Sequence, residues 1–159
     1  MVPILAGLSR HGADNFADMS AARPPSEQGG IEVSLVQTLE GHQGAIYDLC
    51  LDHRGHLLSV GGDGLLVKWK RQGDAFEEGG HALAKSDAPL FVVRSLPDGG
   101  VLAGTGDGGV LNGSERDGWT LAPANAGGTY VLTEQATGGA DGRWLKRSTG
   151  ETLATVDGR

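Results

Sequence analysis

The sequence predicts an all-β fold built from antiparallel repeats. Three observations carry that expectation. Glycine is abundant, at 28 of 159 residues, and glycine costs about 1 kcal/mol at each helical position. The composition therefore suits short strands joined by tight turns and fits a helical bundle poorly. Alternating apolar runs recur with turn signals between them. A turn aspartate also recurs in similar surroundings: "GHLLSVGGDGLLV" at 55–67, "GGVLAGTGDGGVL" at 99–111 and "EQATGGADGRWL" at 134–145.

Taken in order, residues 1–30 differ from the rest. "SRHGADNFADMSAARPPSEQGG" is polar, small and proline-punctuated. Such a stretch buries too little surface to offset ordering entropy, so 1–30 reads as a disordered leader with one weak helical stretch at 15–22. From residue 31 the texture is β-rich. "IEVSLVQTL" is the first strand, in the place of an outer strand. "AIYDLCLD", "HLLSV" and "LLVKWK" follow, separated by the turns "HRG" and "GGDG". The turn aspartates Asp63, Asp107 and Asp141 are separated by 44 and 34 residues. Those intervals bracket the ~40–45-residue period of a four-stranded β-propeller blade. The shorter interval predicts about one strand abbreviated or missing between Trp119 and Thr129.

Residues 39–70, "LEGHQGAIYDLCLDHRGHLLSVGGDGLLVKWK", resemble one WD repeat of a β-propeller. The likeness rests on Gly41-His42, the turn glycine Gly55, Ser59 four residues before Asp63 and Trp69 six after it. It extends more weakly over 31–159, giving about three antiparallel four-stranded blades, an incomplete propeller. The resemblance implies a structural network of His42, Ser59, Asp63 and Trp69. That chain of bonds is chemically sensible: a buried indole N–H needs an acceptor, a serine hydroxyl supplies it, and imidazole links the hydroxyl to a carboxylate. Later repeats depart from the pattern. Ala103 and Gly113 take the serine and tryptophan positions of the second. Thr137 and Asp141 fit the third, with Arg147 at the counted tryptophan position and Trp144 three earlier. Counting back from Asp107 lands on Ser86, so His81 reads as a loop residue. Stacking between repeats tolerates such loss.

Rival chemistries are weaker. Ser, His and Asp also compose a hydrolase triad, but a nucleophilic serine sits exposed on a strained elbow beside an oxyanion hole. Ser59 lies inside an apolar strand and no G-x-S-x-G occurs. Each turn offers one aspartate, too few oxygens for calcium. His53 and His56 beside Asp52 suggest a zinc pair without a partner cluster. A metal-dependent propeller hydrolase, using Asp48, Asp52 and His53, is the alternative function. The favoured one, implied by the resemblance, is a non-enzymatic interaction scaffold for a protein or peptide, with Gln43, Tyr47, Arg54, Arg71, Asp87 and Arg94 as exposed loop candidates. No catalytic residue, metal or cofactor is expected.

The net charge of −7 argues against a nucleic-acid footprint, which needs a basic face. No apolar run reaches the ~18 residues of a membrane helix. The single Cys50 excludes an internal disulfide and packs as a small hydrophobe. A cytoplasmic protein is the expectation. The final "TVDGR" aligns with "TLEGH", where a further blade would begin, whereas closed propellers have about 4–8 blades. Three readings follow: a piece of a longer propeller, self-assembly to complete a ring, or a degraded or mis-framed gene product.

Overall fold

A computed structural model describes residues 4–5, 31 and 33–156. The expected leader, its 15–22 helix and the end at Gly158-Arg159 lie outside the described residues, apart from β1 (Ile4–Leu5). Pro3–Thr38 make one unit and Leu39–Arg159 another. In the first, the alternating run expected as a strand stays irregular over 33–37, with Val33, Leu35 and Val36 exposed. Within that run only its end is strand, β2 (Thr38–Leu39). Alternation alone does not make a strand where no neighbour supplies a ladder.

Within Leu39–Arg159 the described residues form three four-stranded antiparallel sheets. The first joins β3 (Ile46–Leu51), β4 (Leu57–Gly61), β5 (Leu65–Trp69) and β8 (His81–Lys85). Between β5 and β8 a small ribbon is inserted, β6 (Arg71–Gln72) against β7 (Ala75–Phe76). The second sheet runs β9 (Leu90–Ser95), β10 (Val101–Thr105), β11 (Gly109–Ser114) and β12 (Gly118–Pro123). The third runs β13 (Thr129–Leu132), β14 (Ala136–Gly139), β15 (Arg143–Lys146) and β16 (Thr152–Thr155).

Two expectations are corrected here. Trp119 lies in β12, a full outer strand, so nothing is missing between Trp119 and Thr129. The unequal spacing arises because the first sheet carries the inserted ribbon, whereas β11 turns tightly into β12. His81 opens strand β8, opposite Lys68, and is not a loop residue.

The sheets stack face to face. Leu58, Val60 and Leu66 of the first meet Leu90, Val93, Val101, Ala103 and Leu111 of the second. Cys50 packs half-buried against that core, and burial pushes its thiol pKa up. Val92, Leu102 and Val110 of the second meet Leu132 of the third. Among the described residues no helix is long and apolar enough to cross a membrane.

Candidate functional site

The β4–β5 turn positions the first site. Its tightness depends on Gly64, at φ 73°, where a Cβ would also be driven into the Ser86 carbonyl oxygen. The turn holds Asp63 under the loop that precedes β3. His42 Nδ1 lies 3.0 Å from both carboxylate oxygens of Asp63. His42 Nε2 lies 2.8 Å from Ser59 Oγ. Trp69 Nε1 donates to the same Ser59 Oγ at 2.9 Å. In the neutral imidazole the directions are fixed from the carboxylate end: Asp63 only accepts, so Nδ1 carries the proton and Nε2 is left as an acceptor for the Ser59 hydroxyl, while the indole N–H only donates. Trp69 gives to Ser59, Ser59 gives to Nε2, and Nδ1–H gives to Asp63.

Asp63 also accepts the backbone N–H groups of Gln43 at 2.8 Å and Leu65 at 3.1 Å. Burial acts to raise its pKa, but the bonds from Gln43, His42 and Leu65 outweigh it and hold the carboxyl below the usual range. His42, Ser59 and Trp69 are buried. Residues 33–70 match the family described as WD40, WD domain, G-beta repeat.

The chain carries a WD40 repeat. No curated protein matches the chain. The three sheets are consistent with about three WD40 blades, and each treats the repeat's positions differently. In blade 2, Ala103 stands where Ser59 stands in blade 1. Asp107 is bonded by the Thr105 hydroxyl, which also accepts Gly109 N–H at 2.7 Å. That hydroxyl bond, above all, lowers the Asp107 pKa. Ser86, at the counted histidine position, is buried and accepts Ala88 N–H at 3.2 Å.

In blade 3, Asp141 accepts Arg143 N–H at 3.1 Å. Asn125 takes the place of His42: its side chain covers Gly139 as His42 covers Gly61. Thr137 Oγ1 and Asp141 Oδ2 are buried and have no hydrogen-bond partner among the described residues.

A second arrangement escaped the sequence reading. Tyr47, Phe91 and Tyr130 are each the second residue of an inner strand, in β3, β9 and β13. Each sits at a register shift between its inner strand and the next. Their rings form a row across the three blades. Tyr47 meets Phe91 edge-on at 5.1 Å, and Phe91 stacks on Tyr130 at 5.0 Å. Both tyrosines remain 51% exposed. Tyr47 was expected in a loop and lies instead in β3. One signal was available: Tyr47 and Phe91 both stand 16 residues before their turn aspartates.

The remaining expected residues have other employment. Asp48 Oδ2 accepts Val93 N–H at 2.9 Å and Arg94 Nη1 at 3.0 Å, so it ties blade 1 to blade 2. Arg94, expected in a loop, lies in β9. Asp52 Oδ1 accepts the N–H groups of Arg54 and His56, and His56 Nδ1 accepts Arg71 N–H at 2.9 Å. His53 packs over Gly99. Arg71 opens β6 and donates to the Gly73 carbonyl at 2.9 Å. Gln43 and Asp87 are exposed loop residues. No group of three or more His, Cys, Asp and Glu that could hold a metal ion occurs among the described residues.

Proposed function

We propose that this chain is a non-enzymatic interaction scaffold, part of a WD40 propeller, that binds a protein or peptide partner. The exposed aromatic row Tyr47–Phe91–Tyr130 carries the reading. Aromatic side chains offer large rigid contact area and recur at binding hot spots. Three rings shared among three blades provide one continuous surface on a packed frame. About half of each tyrosine faces outward, so the row offers ring area to a partner while its inner half packs on Phe91.

The network of His42, Ser59, Asp63 and Trp69 has a structural role in this reading. A hydrolytic serine must meet substrate, and Ser59 is 0% exposed within a strand whose residues are all buried. Peptides selected from a displayed library on the full chain provide the test. Tyr47→Ser with Tyr130→Ser should weaken the selected peptides at least tenfold, with a fall in melting temperature no larger than the loss of two ring pairs of about 0.5–1.5 kcal/mol each accounts for. Equal binding by this double variant would refute the row as the docking surface.

A further inference from the structure

The inner strands β3, β9 and β13 share two positions whose burial differs from blade to blade. The first is Leu49, Val93 and Leu132. These pair across to Ser59, Ala103 and Thr137, the matching residues of the next strand. Val93 is buried in the core between blades 1 and 2, and Leu132 in the core between blades 2 and 3. Leu49 holds the same place on blade 1, on the face turned away from blade 2, and is 39% exposed. The second position lies one residue earlier, on the opposite face: Asp48, Val92 and Val131. They pair with Val60, Gly104 and Gly138. Asp48 bonds to β9 of blade 2, and Val92 is buried toward blade 3. Val131 holds that place on blade 3, on the face turned away from blade 2, and is 36% exposed.

Neighbouring residues extend both faces. Leu51 pairs with Leu57, and Leu57 with Trp69, so Leu51 shares the outward face of blade 1 and is 55% exposed. A Cβ built on Gly138 would lie 3.3 Å from Val131 Cβ and 3.5 Å from the Trp144 ring, so Trp144 shares the outward face of blade 3. Trp144 pairs with Gly138 as Leu66 pairs with Val60 and Val110 with Gly104. Leu66 and Val110 are both buried in the internal cores. The two outward faces are therefore the two halves of a contact that the chain makes twice within itself. Contiguous exposed apolar positions of this kind mark association surfaces.

We propose that blade 1 of one copy docks head-to-tail on blade 3 of a second copy, and that two copies close a ring of about six blades. That number falls within the ~4–8 blades of closed propellers. The internal contacts supply the template, because each sets the Leu49-type face of one blade against the Val131-type face of its neighbour. A pairing of like faces would set Leu49 against Leu49, which neither internal contact does. The contact is heterologous, so it needs a different patch from each copy. The inference does not depend on the aromatic row or on a partner binding there.

Sedimentation velocity of the full chain tests it. A ring closed through two contacts gains from effective concentration, so a species of two chains is expected at about 10 μM. Leu49→Glu should sediment as one chain, and so should Val131→Glu. Leu51→Glu repeats the blade 1 arm at a more exposed residue, and circular dichroism checks that each variant is folded. An equimolar mixture of Leu49→Glu and Val131→Glu keeps one sound contact and should recover the two-chain species by about 100 μM. Recovery on mixing is the signature of a head-to-tail contact. A single chain at every concentration up to that value overturns the proposal, as it would if a further blade of a longer protein covered these faces. So does an open series of larger species, or a two-chain species that either single variant leaves intact.

Discussion

Ser59 Oγ accepts a hydrogen bond from Trp69 and donates its own proton to His42 Nε2, so the hydrogen bonds form a chain with a single direction that ends at the Asp63 carboxylate. Removing the terminal acceptor weakens each earlier link. Asp63 is that acceptor, and its folded pKa lies below its ordinary value. A depressed carboxylate pKa contributes stability that is present above the unfolded value, about 3.9, and is lost as pH falls through the folded value. The stability gap between wild type and Asp63→Asn should therefore be largest near pH 6 and close below about pH 4. Urea midpoints across that range measure it, and a gap independent of pH would contradict the assignment. Trp69→Phe keeps most of the apolar contact and loses the N–H donor. It should cost about 1–3 kcal/mol. These four residues could be picked out in the sequence because residues 39–70 resemble a WD repeat, whose offsets they match, with His42 in the loop before β3 and the other three in the β4–β5 hairpin. The aromatic row is legible only in part: Tyr47 and Phe91 share an offset of 16 residues from their turn aspartates, but Tyr130 stands 11 before Asp141, and the register shifts that align the three rings leave no local sequence signal.

At the scale of elements, the turn after β4 and the ribbon β6–β7 make opposite demands on glycine. Gly64 and Gly73 both have positive φ, 73° and 64°. A Cβ at Gly64 would strike the Ser86 carbonyl, whereas one at Gly73 meets nothing within 4 Å. Gly73→Ala should cost about 1–2 kcal/mol, the ordinary left-handed penalty. Gly64→Ala should cost clearly more, because the β8–β9 loop must also move. Thermal unfolding of both variants compares them directly, and equal costs would exclude the steric contribution. The same elements explain what the sequence could and could not convey about the fold. "HLLSVGGDGLLVKW" combines alternation, a glycine turn and a second alternating run, so β4 and β5 follow from local chemistry. The run at 31–39 has the alternation but is irregular over 33–37 among the described residues, and whether a strand finds a ladder is a long-range fact. The spacing of 34 residues falls short of the ~40–45 of a blade because β11 turns into β12 over only three residues, 115–117, with all four strands present.

At the scale of the whole Leu39–Arg159 unit, apolar cores among the described residues join the three blades, and the carboxylates of Asp48 and Glu115 add polar ties between blades 1 and 2. The first core spans blades 1 and 2 and the second spans blades 2 and 3. Asp48 links β3 to the backbone and guanidinium of β9. Asp48→Ala removes that tie and leaves Val93 N–H without its acceptor. It should cost about 1–3 kcal/mol, with blades 1 and 2 loosening together in hydrogen exchange. Shared cores predict that the blades unfold as one cooperative body, so a change deep in blade 1 is felt by all three. In the proposed reading the Ser59-centred network supports this body. Equilibrium urea unfolding of Ser59→Ala tests it most directly, since the substitution leaves both the Trp69 N–H and the His42 Nε2 without their buried partner. The expected result is a single transition with stability lowered by about 2–4 kcal/mol. An unchanged midpoint would contradict the claim.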